Sequence, residues 1–159
     1  MSHETVFTEG SLTIARTFRT TPDRLYACWT ESDHLAAWAG PVGYTNSTEL
    51  LEPRPGGRHL ARMLAPDGTS TRAGGIYKVA DPGERLVFTH AWLGDDGSRE
   101  SAETTITLTL VPTDRGTLMV FHQAGFGSEA SREGHAMGWT VSFERLDVHL
   151  NSAPSGSTA

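Results

Sequence analysis

The stretch Gly138-Trp139-Thr140-Val141-Ser142-Phe143-Glu144-Arg145-Leu146-Asp147-Val148-His149-Leu150 decides how this chain folds. Trp139, Phe143, Leu146 and Leu150 recur at spacings of four, three and four, which puts them on one stripe of an α-helix. Glu144, Arg145 and Asp147 lie off that stripe, so the helix is amphipathic. Ser128-Glu129-Ala130-Ser131 supplies a cap and an early acid, and the helix is predicted to run from there to about Leu150. A helix of that length needs a broad apolar surface to lie on. Gly138 removes a side chain where the helix meets that surface, which permits close approach or extra room.

The upstream chain supplies the surface. Residues 44–123 read as strands and turns, with breakers at 53–57, 66–68, 81–83, 94–97 and 113–116. Leu86, Phe88, His90 and Trp92 alternate with Val87, Thr89 and Ala91, and Ile106, Leu108 and Leu110 alternate with threonines. Short strands joined by tight turns predict an antiparallel meander with one wet face. Ahead of them, Leu12, Ile14, Arg16 and Phe18 alternate with Thr13, Ala15, Thr17 and Arg19 as a half-buried strand. Thr21 can then cap a short helix with Pro22 at its first position and Leu25, Tyr26 and Trp29 as its stripe. Ser32 or Asp33 can cap a second, carrying Leu35 and Trp38 and ended by Gly40-Pro41.

The expected fold is therefore α+β: a curved antiparallel sheet of about seven strands, two short helices after the first strand, and a long C-terminal helix gripped by the sheet. One domain is expected over residues 10–150, with 1–9 a flexible lead-in and 151–159 a small, polar, flexible tail.

Bulk properties exclude several classes. The formal net charge is −6, from 13 basic and 19 acidic residues, and the arginines are scattered. Phosphate neutralisation needs a concentrated basic face, so nucleic acid is not an expected partner. No early run joins basic residues to a long apolar stretch, and no apolar run is long enough to span a bilayer. The expected compartment is the reducing cytoplasm. The single cysteine, Cys28, excludes an internal disulfide and reads as a small buried hydrophobe.

Several landmarks then fall in a familiar order. Ile14-Ala15-Arg16-Thr17-Phe18, Thr21-Pro22, Cys28-Trp29-Thr30, His34-Leu35, Trp38 and Gly40-Pro41 resemble the opening of proteins similar to the activator of the ninety-kilodalton heat-shock-protein ATPase. Arg54-Pro55-Gly56-Gly57, Gly75-Ile76-Tyr77, the run from Glu84 to Thr89, Gly125-Phe126, Gly138-Trp139-Thr140 and Arg145-Leu146 extend the resemblance to residues 10–150. That family belongs to the START-like superfamily, alongside polyketide cyclases, aromatases and birch-pollen-allergen-like carriers. The resemblance implies a helix-grip fold with a cavity between the sheet and the C-terminal helix. Family members often carry two tryptophans before the Gly-Pro; Ala39 in the second place implies a wider pocket rim. Chaperone stimulation is discounted, because in the eukaryotic co-chaperone a separate N-terminal domain carries the main activating contact.

Catalytic and metal signatures are weak. The histidines at 3, 34, 59, 90, 122, 135 and 149 form no H-x-H or H-E-x-x-H pattern, and no metal or other cofactor is expected. No G-x-S-x-G motif or phosphate-cradling loop appears. His90 shares the inward face of its strand and reads as a core histidine or as a group that orients a ligand or shuttles a proton. His122 reads as solvent-facing. Arg16 could hold a ligand carboxylate, pair with an acid such as Glu103, or snorkel at the sheet edge.

Aromatic side chains supply the site by exclusion. The candidate ligand-binding residues are Trp38, Tyr77, Phe88, His90, Trp92, Phe121, Phe126, Met137, Trp139 and Phe143. The expected function is binding of a small hydrophobic or aromatic molecule. An enzyme of the cyclase, dehydratase or hydrolase kind using His90 with Arg16 or Glu103 is the runner-up, and a chaperone-associated interaction module the third reading. A homodimer is compatible with a chain of this size, without a sequence feature that requires it.

Overall fold

The computed structural model describes residues 3–152. Its elements follow in the order β1 (His3–Thr8), β2 (Ser11–Phe18), α1 (Pro22–Thr30), α2 (Ser32–Trp38), β3 (Thr45–Leu51), β4 (Arg58–Leu64), β5 (Ser70–Asp81), β6 (Arg85–Leu93), β7 (Thr104–Thr113), β8 (Gly116–Ala124) and α3 (Glu129–Ser152). The strands form one eight-stranded sheet in the order β1-β2-β8-β7-β6-β5-β4-β3. Every neighbouring pair is antiparallel.

The extra strand is β1, which occupies the segment expected to be a flexible lead-in. It pairs with β2 without a break, from His3 opposite Arg16 to Thr8 opposite Ser11. Residues 4–8 are all exposed, so this edge strand has no buried face and leaves no alternation to detect. At the other end α3 runs on through Asn151 and Ser152, and the rest of the expected tail, 153–159, lies outside the described residues.

Local chemistry accounts for the helix starts. Thr21 Oγ1 accepts the Arg24 amide at 3.2 Å, with Pro22 in the first turn. Ser128 Oγ accepts the Ser131 amide at 3.1 Å ahead of α3. In α2 the expected cap moves: Glu31 takes that position without a side-chain hydrogen bond, and Ser32 is already helical. Gly75 sits where β5 crowds β6, since a Cβ there would lie 2.0 Å from the Thr89 carbonyl oxygen.

The apolar stripe of α3 lands as its spacing predicts. Phe143, Leu146 and Leu150 are buried and join Leu12, Ile14 and Phe18 of β2, Met119 and Phe121 of β8, and Leu108 of β7 in one core. Trp29 of α1 sits at the middle of the aromatic packing, 4.9 Å from Trp38, 6.2 Å from Phe121 and 6.1 Å from Phe143 between ring centroids. The far hairpin differs: β4 gives this core no residue, and β3 only the peripheral Leu51.

Phe143→Ala is expected to cost roughly 3–5 kcal/mol, because it opens a hole among aromatic rings that cannot all collapse. Val148→Ala, on the exposed face of the same helix, is expected to stay within about 0.5 kcal/mol of the parent. Urea denaturation of both variants measures the contrast.

Candidate functional site

The C-terminal half of α3 lies on β2 and β8, while its N-terminal half stands off the other side of the sheet. The gap is a cavity of ≈ 490 Å³ between α3, the end of α2 and the inner faces of β3 to β6. A volume of that size is typical of small-molecule sites. Along α3 the cavity meets Ala130, Gly134, Gly138 and Ser142, small residues one turn apart. A Cβ added at Gly134 or Gly138 would meet no atom within 4 Å. Of the two uses open to Gly138, extra room is the one realised.

Six of the ten candidate residues line this space: Trp38, Tyr77, Phe88, His90, Trp92 and Trp139. The other four do not. Phe121 and Phe143 are core residues beneath Trp139, with ring centroids 4.8 and 5.7 Å from it. Phe126 borders a smaller cavity of ≈ 240 Å³ beside the start of α3. Met137 is 73% exposed, because two residues along a helix turn it about 200° from Trp139. Ala39 lines the larger cavity, where the shorter side chain leaves space.

Hydrogen bonds fix the polar part of the wall. Trp139 Nε1 donates to Gln123 Oε1 at 2.9 Å, and Gln123 Nε2 donates to Thr104 Oγ1 at 2.8 Å. Thr104 Oγ1 in turn donates to the His90 carbonyl at 3.1 Å, so the indole and the His90 backbone are tied through a buried glutamine. At the rim, Arg145 Nη1 donates to the Gly40 carbonyl at 2.7 Å, and Ser142 Oγ accepts the Gly40 amide at 3.1 Å.

Three imidazoles surround one end of the cavity, and two of them, His59 and His135, are absent from the sequence-based set. His135 Nδ1 donates to the Ser131 carbonyl at 2.7 Å and its Nε2 accepts Trp92 Nε1–H at 3.2 Å, which sets its tautomer. His59 Nε2 donates to the Thr89 carbonyl at 2.8 Å. Burial lowers the His59 pKa against the opposing effect of that bond. His90 lies between the two cavities and lines both, its ring 5.9 Å from that of His135. Burial, then the charges of His135 and His59, push its pKa down to about 3, so at neutral pH it presents an uncharged imidazole. The cavity wall also holds buried polar atoms without a partner among the described residues, Trp29 Nε1, Asn46 Oδ1 and Thr48 Oγ1. Each carries a desolvation cost of roughly 1–3 kcal/mol.

Arg16 and Glu103 do not join His90. Arg16 pairs with Asp147 of α3 at 3.5 Å, and Glu103 pairs with Arg99 at 3.5 Å on the surface. The catalytic set built on those residues is therefore not assembled. His122, expected to face solvent, is half-buried on the outer face with Nδ1 2.9 Å from Thr13 Oγ1. Outside the cavity lining, Cys28, His34 and His149 converge from three helices.

Residues 19–151 match the family model described as activator of Hsp90 ATPase homolog 1-like protein. The chain belongs to that family. Its fold is the START-like helix-grip fold, and family and fold together support a ligand-binding domain in general terms. A protein of Chromobacterium violaceum is similar at 26% identity, over 89% of this chain and 96% of its own, with a TM-score of 0.80. An AHSA1 protein of Silicibacter pomeroyi is similar at 25% identity over 89% and 97%, again with a TM-score of 0.80. A protein of Arthrobacter aurescens, at 24% identity over 91% and 88%, shares the fold with a TM-score of 0.83. None of the curated proteins matches the chain. Among the described residues, no helix is long and apolar enough to cross a membrane.

Two outcomes follow from the geometry. Gly138→Ala places a methyl group in open space and removes a helix-interior glycine, so stability is expected to rise by roughly 0.5–1 kcal/mol in chemical denaturation. His90 has a lower pKa folded than unfolded, so between pH 6.5 and about 3 the unfolded chain binds a proton there that the native chain refuses. Stability is therefore lost as pH falls through that window. His90→Gln is expected to flatten the slope of stability against pH by up to one proton, leaving the shares due to His59 and His149, whose pKa values burial also lowers.

Proposed function

We propose that this protein binds a small, largely apolar or aromatic molecule between the N-terminal half of α3 and β3 to β6. The observation that carries this reading is the ≈ 490 Å³ cavity, kept open by Gly134 and Gly138 and walled by Trp29, Trp38, Phe88, Trp92 and Trp139. A helix-interior glycine costs stability, and two of them facing one space favour room over packing. The neutral His90 ring in the cavity wall suits a ligand with one or two uncharged polar groups. Arg16 of β2 pairs with Asp147 and lies outside the cavity lining, so it is not offered to a ligand carboxylate there. The ligand is thus expected to be neutral, with its apolar body against the indoles and its polar end toward the histidines.

Thermal-shift and tryptophan-fluorescence titrations with neutral aromatic alcohols, ketones and acyl compounds test the proposal. Binding is expected to raise Tm and to perturb the emission of Trp139. Gly138→Leu, which fills the space from the helix side, is expected to weaken binding at least tenfold while the protein stays folded. The reading fails if no compound shifts Tm and protein purified from its own host carries no added mass under native mass spectrometry. It fails equally if Gly138→Leu binds as the parent does.

A further inference from the structure

Cys28 of α1, His34 of α2 and His149 of α3 place their ligating atoms within 4.8 Å of one another. His34 Nδ1 lies 2.8 Å from His149 Nε2 and 3.8 Å from Cys28 Sγ. We propose that this cluster is a binding site for one divalent cation of the zinc class, held by Cys28 Sγ, His34 Nδ1 and His149 Nε2.

The geometry is close to what such an ion needs. Zinc bonds of roughly 2.0–2.1 Å to nitrogen and 2.3 Å to sulfur set tetrahedral ligand atoms roughly 3.3–3.6 Å apart. The observed separations bracket that range, and rotating the two imidazoles by about an ångström meets it. Thiolate and imidazole are donors that select zinc over calcium or magnesium. The second nitrogen of His34, Nε2, faces the Glu31 carboxylate at 3.8 Å. A carboxylate there favours the Nε2–H tautomer and leaves the Nδ1 lone pair for the metal.

Both histidines are half-buried, which gives the ion an approach from solvent, whereas Cys28 is fully buried. Cys28 carries a free thiol, and a thiol ligates such an ion as its thiolate. Binding therefore breaks the Sγ–H bond, forms an Sγ–metal bond and releases one proton to solvent. Arg24, anchored on the Leu150 carbonyl at 3.2 Å, is the positive group that opposes the ion, and Glu31 the negative group that favours it. The fourth coordination position falls to solvent.

The ion would clamp three helices to one another. Trp29 and Leu35, the residues after Cys28 and His34, line the larger cavity, so the clamp braces its wall.

The test uses the untagged full chain after removal of metal with a chelator. Zinc uptake is measured by native mass spectrometry and proton release, and cobalt serves as the optical probe of thiolate coordination. One ion and one proton per chain are expected, with a thiolate-to-cobalt absorption that Cys28→Ser abolishes. His149→Gln is expected to weaken uptake at least tenfold, and His122→Gln to leave it unchanged. Sub-stoichiometric uptake overturns the proposal, as does a charge-transfer band that survives Cys28→Ser or an equal loss in His122→Gln. Circular dichroism verifies that Cys28→Ser folds; should it unfold, the half-buried His149→Gln decides alone.

Discussion

Phe143 sits where the helices and the sheet meet, and the rest of the molecule is arranged around that contact. Its ring is 5.3 Å from Phe121 on the sheet, 6.2 Å from Trp38 on α2 and 6.1 Å from Trp29 on α1. One side chain thus joins all three helices to β8. Aromatic groups contribute large buried area and resist sliding because their rings interlock at fixed tilts. Once Phe143 is seated, Leu146 and Leu150 follow onto β2 and β8 by helical periodicity. The N-terminal half of α3 is then held out over β3 to β6, with the small residues Ala130, Gly134, Gly138 and Ser142 along the cavity and His135 and Trp139 beside them.

That division of labour along one helix explains how a cavity survives beside a well-packed core. Interiors normally close to crystal-like density, since an unfilled void forfeits dispersion contacts on every side. Here collapse is resisted at both ends of the gap. Arg145 and Ser142 pin the loop after α2 to the middle of α3, and His135 pins its first turns to Trp92 of β6. The buried Gln123 supports Trp139 from below, so the indole cannot drop into the space it borders.

Much of this was readable before any coordinates. The four-three-four spacing of Trp139, Phe143, Leu146 and Leu150 specified the helix and its buried face, and the alternation from Leu86 to Trp92 specified the strand opposite. The site was legible only in part. Inward-facing aromatics look alike in a sequence whether they end beneath the core, as Phe121 and Phe143 do, or at a cavity, as Phe88 and Trp92 do. The wall from β3 escaped notice because its inward residues, Asn46, Thr48 and Leu50, mix polar with apolar and blur the period-two signal. His59 and His135 lie far apart in the chain and meet only through the fold. The same is true of Cys28, His34 and His149, whose approach no local ligand spacing announces.

The β3–β4 hairpin walls the cavity yet stands almost wholly outside the core. Substitutions there alter the shape and polarity of the pocket while leaving the packing around Phe143 untouched. Distant sites of this kind have nearly additive energies, so a change of pocket lining carries little risk to folding. The architecture thus separates the part of the chain that must stay constant to fold from the part free to diversify. Ligand preference could drift across descendants of this sequence one hairpin residue at a time, each step starting from an equally stable protein.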